Sequence, residues 1–118
     1  ANAMYLPKVI KYNSKDETAA KRYAEIARFI DLKGETTEEL VDALIAELKK
    51  MNESLNIPRC IKEYEGGIID EKEFNDKLSS VATLAIGDAC TGSNPRQPSQ
   101  EDMEKLLHAC YYDEEIDF

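Results

Sequence analysis

The sequence is poor in the residues from which most catalytic and metal sites are built. Its 118 residues include one histidine, no tryptophan and three cysteines. Cys60, Cys90 and Cys110 form no Cys-x-x-Cys pair and match no zinc spacing, so we expect reduced thiols and no metal ligand in this chain. Neither a Gly-x-Gly-x-x-Gly nor a Walker phosphate loop is present. The residue types alone therefore identify no catalytic group.

Positive charge and long apolar runs are also scarce. Fifteen Lys and Arg stand against 24 Asp and Glu, which gives a net charge of −9. This balance disfavours nucleic acid and anionic membranes as partners, because both bind clustered basic residues. No apolar run approaches the roughly 20 residues that cross a bilayer, and the start has no signal-peptide pattern. We expect a cytoplasmic protein that binds neither nucleic acid nor a membrane.

Most of the sequence has apolar residues at the spacing of an α-helix. Apolar residues make up 42% of the chain, which is enough for one modest core. Apolar side chains recur at helical spacing in four long segments, and nothing has the alternation of a strand. The sequence therefore predicts an all-α fold, a compact bundle of about four main helices plus short helical turns. The four segments are residues 15–30, 36–55, 70–85 and 99–112.

Capping residues support the starts of three of these helices. Thr36 with Glu39 matches a capping box, and Asp70 and Ser99 are good N-caps. The stripe of the second helix is expected to be buried along its length, through Met51 and Leu55. The third helix is expected to bury an apolar face. That face comprises Phe74, Leu78, Val81, Ala82 and Ala85.

The remaining segments are shorter. Residues 5–13 are expected to form a stub of helix with Pro7 in its first turn, where a missing N–H costs little. A short turn after Pro58 would end at Gly66-Gly67. The acidic tail 113–118 is expected to fray.

The chain divides simply. Residues 1–3, Ala-Asn-Ala before Met4, are interpreted as a cloning scar. Residues 4–118 are interpreted as one helical domain.

Two features invite a functional interpretation. His108 could begin a metal site with Glu104, one turn earlier, as a second ligand. A single such pair is common, and a surface histidine is the favoured interpretation. The segment from Asp88 to Arg96 packs small, polar and turn-forming residues between two helices. By its residues alone it is a helix connection; the alternative is a loop whose polar groups reach a cleft.

That loop also carries a family resemblance. Residues 90–96, Cys-Thr-Gly-Ser-Asn-Pro-Arg, resemble the Cys-Thr-Gly-x-Asn-Pro-Arg stretch near the C-terminus of iron-containing alcohol dehydrogenases, including the alcohol dehydrogenase half of bifunctional aldehyde-alcohol dehydrogenases. Residues 6–13, 21–27 and 57–63 resemble family segments in the same order. The resemblance covers about residues 5–112. Lys8 stands where many members have His, and Asn56 where Gly is usual.

The resemblance implies a helical C-terminal subdomain of a longer enzyme. The family's metal ligands, one Asp and three His, and its dinucleotide-binding domain lie upstream of Leu6. In such enzymes an iron ion polarises the alcohol oxygen and NAD(P) accepts the hydride, which interconverts a primary alcohol and its aldehyde. Iron and NAD(P) would belong to the parent enzyme, and this fragment would bind neither and be inactive alone. Its partners would be the missing N-terminal portion and, in the parent, a small alcohol or aldehyde.

The resemblance also assigns the loop a place. We expect no catalytic residue and no metal ligand in this chain, and one wall of the cleft formed by Cys90, Thr91 and Asn94. The structural residues of the loop would be Gly92, in a backbone conformation closed to other residues, Pro95, which keeps the preceding residue extended, and Arg96, an anchor on a carboxylate or helix end.

A second function remains open on the residues alone. The chain could be a stand-alone, non-catalytic helical interaction module, because no complete site is visible. If the chain is instead the fragment that the resemblance implies, its first segment is expected to be the stump of a longer helix, and apolar surface that normally meets the missing portion would be exposed. Self-association is one way to cover such a surface.

Overall fold

The computed structural model describes residues 2–64 and 69–118, and this part of the chain is helical without strands. The all-α prediction is confirmed. None of the helices in the described part is long and apolar enough to cross a membrane. The pair Gly66-Gly67, expected to end a turn, lies outside the described residues. In order, the elements are α1 (Asn2–Asn13), α2 (Glu17–Phe29), α3 (Thr37–Ser54), a 3-10 turn (Ile61–Glu63), α4 (Glu71–Gly87), a second 3-10 turn (Thr91–Ser93) and α5 (Gln100–Tyr112).

Local sequence signals determine where the helices begin. The Thr36 hydroxyl accepts a hydrogen bond from the Glu39 N–H at 3.1 Å, and the Glu39 carboxylate accepts one from the Thr36 N–H. This is the predicted capping box. Asp70 and Ser99 accept from the backbone N–H three residues later, as predicted. Each cap satisfies a donor that the first helical turn leaves unpaired, and is worth about 1 kcal/mol.

Left-handed residues follow three of the helices. Asp31, Asn56 and Asp113 have φ values of 64°, 58° and 61°. Asn and Asp adopt this region more readily than other residues with a side chain. Asn56 stands where the resembled family usually has glycine, and its φ explains that preference, because glycine adopts the conformation without a steric penalty.

Helix α1 runs through Pro7, and the expectation of a first-turn proline is wrong. The helix begins at Asn2 and includes two of the residues interpreted as a cloning scar, so Pro7 lies in its interior. Proline has no N–H, and the carbonyl of Ala3, four residues earlier, consequently loses its helical partner. The side-chain amide of Asn52 in α3 donates to that carbonyl at 2.8 Å. A tertiary contact thus satisfies the group that proline leaves unpaired.

The main core lies between α1, α2 and α3. The outer end of the α3 stripe departs from expectation, because Met51 and Leu55 are exposed. The reason is length: α3 has 18 residues and α2 has 13, so the last turn of α3 extends past the helix that covers it. The buried cluster comprises Ile10, Ala24, Ala27, Leu40, Val41, Leu44 and Ile45.

The tail after α5 is docked, and the expectation that it frays is wrong. Ile116 is buried in a second cluster with Tyr12 and Ala109, and the Phe118 ring lies 5.8 Å from that of Tyr12. The Lys8 ammonium donates to the Asp113 carboxylate and to the Glu114 carbonyl, each at 2.9 Å. An apolar anchor and a cation that is itself buried therefore hold an acidic segment.

Helix α4 buries far less than expected. Of its predicted apolar face only Ala82 is buried; Val81 is exposed, and so is the neighbouring Leu84. The helix packs on α5 and on the turn Thr91–Ser93, so one side of it has no neighbour within the described part of the chain. Phe74 is half-buried and stacks on Tyr111 with ring centres 4.1 Å apart.

Candidate cleft wall

Helices α1 and α5 and the loop after α4 line an open groove of about 550 Å³. Tyr5 and Val9 contribute from α1, and Leu106, Leu107 and Cys110 from α5. None of the described residues that line it carries a charge. Such a groove suits an uncharged, largely apolar ligand, because a buried charge without a partner is costly.

All three residues expected to line a cleft line this groove. Cys90 is exposed, and its backbone N–H donates to the Asp88 carboxylate at 2.7 Å. The Thr91 hydroxyl donates to the Ala85 carbonyl at 2.6 Å, which joins the loop to the last turn of α4. Asn94 follows the turn in extended conformation, with φ −67° and ψ 137°. The loop therefore presents three polar residues along one edge of an apolar surface.

The amide of Asn94 is already used inside the protein. It exchanges two hydrogen bonds with the buried amide of Asn13, of 2.8 and 3.0 Å, and it also donates to the Arg96 carbonyl. Both of its hydrogens are consequently engaged. Asn94 supports the groove wall and offers no free donor to a ligand.

Arg96 binds the end of a helix and the tail. Its guanidinium donates to the carbonyls of Tyr12, at 2.9 Å, and Phe118, at 2.7 Å. It also lies over the Tyr12 ring, 3.9 Å from the centre. A cation is favourable here, since the carbonyl end of α1 carries partial negative charge.

Tyr12 remains protonated in this setting. Burial and the hydrogen bond to Asp102 together raise the pKa of Tyr12 to about 12, although Arg96 acts in the opposite direction. The hydroxyl donates to the Asp102 carboxylate at 2.8 Å. At neutral pH Tyr12 is therefore a neutral donor that ties α1 to α5.

One loop residue, Gly92, contributes less than expected. Gly92 does not have a positive φ, and a Cβ built on it would meet no atom within 4 Å. The expectation of a conformation closed to other residues is therefore wrong. Gly92 lies in a 3-10 turn, whose backbone angles any residue can adopt. Pro95 is exposed.

The Cys110 thiol is not activated. Cys60 and Cys110 are buried, and Cys90 is exposed. Burial raises the pKa of Cys110 to about 11, although Lys8 acts in the opposite direction. The nucleophile is the thiolate, so Cys110 is inert at neutral pH.

The residues described do not form an iron site. Within residues 2–64 and 69–118, no group of three His, Cys, Asp or Glu side chains could hold a metal ion. His108 pairs with Glu114, and its ring lies 4.5 Å from that of Tyr112. The interaction partner considered from the sequence, Glu104, is not the one adopted, because the tail returns to α5 and brings Glu114 to the imidazole.

Sequence reasoning missed Asn13 and the groove residues of α1 and α5. Tyr5, Val9 and Leu106 have ordinary helical spacing, which does not distinguish a groove from a core. Asn13 carried one signal: it closes the segment 6–13 that resembles the family. A polar residue at a helix end that is buried in the fold needs a partner, and here the partner is Asn94.

The sequence of this helical unit matches a known family. Residues 1–111 match the model of the Fe-containing alcohol dehydrogenase family, C-terminal part. The chain belongs to this family. The resemblance inferred from the motifs is thus confirmed, and the matched region includes residues 1–3.

Individual members of the iron-containing alcohol dehydrogenase family agree with this assignment. The chain is 52% identical over 118 residues to an NADPH-dependent butanol dehydrogenase of Clostridium saccharobutylicum, covering 100% of this chain and 29% of that protein. It is 36% identical over 124 residues to an aldehyde-alcohol dehydrogenase of Clostridium acetobutylicum, covering 94% and 14%. The structure of an iron-containing alcohol dehydrogenase from Thermococcus thioreducens superposes with a TM-score of 0.77 at 32% identity, covering 96% and 27%. The chain thus spans less than a third of the length of these relatives.

Proposed function

We propose that this chain is the C-terminal part of an NAD(P)-dependent, iron-containing alcohol dehydrogenase that interconverts a primary alcohol and its aldehyde. In this proposal the groove forms one wall of the cleft. The supporting observation is that Cys90, Thr91 and Asn94, taken from one family motif, all line a single uncharged groove. A connector between two helices would not need to place all three on the same surface.

The groove residues would bind and shield the substrate. The apolar side chains contributed by α1 and α5 would pack on the hydrocarbon part of the alcohol, at about 25 cal/mol for each Å² of apolar surface buried. Cys90 and Thr91 would lie nearest the substrate and nicotinamide. Exclusion of water from this wall favours hydride transfer over side reactions.

The metal and most of the coenzyme contacts are assigned outside this chain. The described residues do not fit an iron ion. The relative of Clostridium saccharobutylicum is named NADPH-dependent, and for this chain the proposal remains NAD(P).

The test is made in the full-length enzyme. Cys90→Val is expected to raise KM for the alcohol about fivefold to tenfold with a smaller change in kcat, since a change of one or two heavy atoms in an apolar pocket has effects of this order. Cys60→Val is the matched control, because Cys60 is a buried thiol that does not line the groove. Asn94→Ala is expected to lower kcat/KM about tenfold through loss of its paired amide. Unchanged kinetics in Cys90→Val and Asn94→Ala would show that the loop is only a connector.

The isolated chain is expected to be inactive and to bind neither iron nor zinc tightly. Reduction of NAD or NADP with butanol, in a preparation free of host enzyme, would contradict the first expectation. Stoichiometric iron that survives dialysis would contradict the second. If the natural gene continues upstream with an Asp-x-x-x-His and two further histidines, the enzyme is favoured over the stand-alone interaction module.

The missing N-terminal portion is the partner we propose for the exposed apolar side chains. Ile26 and Phe29 of α2 and Ile30, its C-cap, are exposed at helical spacing, as is Leu84 on α4. In the isolated chain these surfaces favour self-association at high concentration. Sedimentation from 10 to 500 μM, on the order of interface affinities of weak complexes, measures it. A strictly monomeric chain across that range would contradict the expectation.

A further inference from the structure

We propose that Asn13 and Arg96 are positioning residues, which together with the tail 113–118 hold the loop carrying Cys90 and Thr91 against α1. That this loop forms a cleft wall rests on the proposed function. The way in which the loop is held does not, and it can be tested in this chain alone.

The loop has little apolar packing of its own. Cys90, Gly92 and Ser93 are exposed. Its internal backbone hydrogen bonds span only three residues, from the Ser93 N–H to the Cys90 carbonyl at 3.2 Å and from the Asn94 N–H to the Thr91 carbonyl at 3.0 Å. Such bonds shape the turn but do not place it relative to α1. The Thr91 hydroxyl joins the loop to α4, and longer-range contacts join it to α1.

The first of these contacts is the amide pair. Asn13 is only 3% exposed, and one of its amide hydrogens is donated to Asn94 while another reaches the Tyr23 hydroxyl at 3.3 Å. Asn94 returns one hydrogen to Asn13 and gives the other to the Arg96 carbonyl. A buried amide whose hydrogens are all accepted has one favourable orientation, because every alternative leaves a donor unpaired. The pair therefore defines the distance and direction of Asn94 from α1.

The second contact is the guanidinium of Arg96, which joins three segments. It links the loop to the Tyr12 carbonyl at the end of α1 and to the Phe118 carbonyl of the tail. The tail is held independently by the buried Ile116 and by Lys15, whose ammonium donates to the Asp117 carbonyl at 3.2 Å. The tail consequently forms a fixed support behind Arg96, and displacement of its last residues would leave the guanidinium with one carbonyl.

Amide hydrogen exchange of the 118-residue chain, followed by NMR, tests the proposal. Asn13→Ala is expected to accelerate exchange of the Ser93 and Asn94 amides about tenfold, and to leave the core amides of Ala27 and Leu44 unchanged. A chain shortened by Asp117 and Phe118 keeps Ile116 and is expected to show a smaller, roughly threefold, acceleration at the same loop amides.

A matched control and a milder variant complete the design. Asn75→Ala removes an exposed amide that donates to the Glu71 carbonyl and the Tyr112 hydroxyl, and should leave loop exchange unaltered. If Asn13→Ala does not fold, Asn13→Asp decides, because it keeps the size and the acceptor but removes the donor to Asn94. It should accelerate loop exchange more than core exchange.

Each pattern of exchange has one interpretation. Acceleration confined to the loop supports positioning. Equal acceleration of loop and core would show that Asn13 only stabilises the fold, and unchanged loop exchange in Asn13→Asp and the shortened chain would show that other contacts hold the loop; either result overturns the proposal. No coenzyme or substrate is involved, so these results are independent of the proposed dehydrogenase activity.

Discussion

The half of the molecule formed by α1, α2 and α3 shares a buried cluster of seven apolar residues, whereas α4 buries one residue of its apolar face. Leu40 and Leu44 of α3 meet Ala24 and Ala27 of α2 in one cluster. On α4 only Ala82 is buried. Helix α4 is about as amphipathic as α1, which does contribute to the cluster. The difference shows that periodicity predicts a helix and its apolar face, while burial of that face depends on whether another segment reaches it.

The largest effect is expected in the main core. Leu40 is 1% exposed, and Leu40→Ala should lower the free energy of unfolding by about 3 kcal/mol, through lost burial and the cavity left behind. The matched change Leu84→Ala, at a residue 75% exposed, should cost less than about 0.5 kcal/mol. Urea unfolding of both variants measures the difference. Equal losses would remove the distinction between the two halves.

The next effect concerns the tail, which the fold adds to the α1 side. Ile116→Ala should cost about 2 kcal/mol, because Ile116 is buried against Tyr12 and Ala109. Ile30→Ala is the control at a half-exposed isoleucine and should cost much less. Urea unfolding again gives the values. A loss for Ile116 no greater than that for Ile30 would mean that the tail is not part of the core in solution.

A smaller effect is expected where α3 compensates for Pro7. Asn52→Ala should cost about 1 kcal/mol, since the Ala3 carbonyl then loses its donor. In a Pro7→Ala background the restored helical N–H can donate to Ala3, so the same change should cost almost nothing. Thermal unfolding of the four chains forms a double-mutant cycle. Equal costs in the two backgrounds would contradict the compensation.

The smallest effect on stability at neutral pH comes from Tyr12 of α1 and Cys110 of α5. This effect grows as the pH rises. The pKa of Cys110 is raised from 9.0 to about 11 and that of Tyr12 from 10.0 to about 12, chiefly by burial. At a pH below the pKa values of the unfolded chain, both groups are protonated in the folded and the unfolded state. Their full contribution to the free energy of unfolding is then present. Above those pKa values the unfolded chain loses protons that the folded chain retains, so unfolding is favoured as pH rises from about 9 to about 12.

Thermal unfolding measured from pH 7 to 12 checks this direction. Cys110→Ala and Tyr12→Phe should each make the alkaline fall in Tm shallower, because each removes one of the titrating groups. Leu84→Ala, at an exposed residue of α4 that has no titrating group, is the control and should leave the slope unchanged. A Tm that does not change across this range would contradict the raised pKa values of the two groups.

Local signals were sufficient for the helices and for the family. The capping box at Thr36 and the N-caps Asp70 and Ser99 act within one turn, so their effect can be deduced from residues three positions apart. The motif 90–96 identified the family, and it also selected three residues that share one groove. The sequence alone was enough to predict contacts between residues a few positions apart.

The tertiary structure decided what depends on distant segments. Asn13 and Asn94 are 81 positions apart, and nothing local to either predicts that their amides pair. The tail is docked because Ile116 packs on Tyr12 and Ala109. Leu84 is exposed because no described helix packs on it. Burial and hydrogen-bond satisfaction are properties of a site formed by several segments, whereas helix propensity and capping belong to a few neighbouring residues. That difference in range is why the helices could be derived from the sequence and the construction of the groove could not.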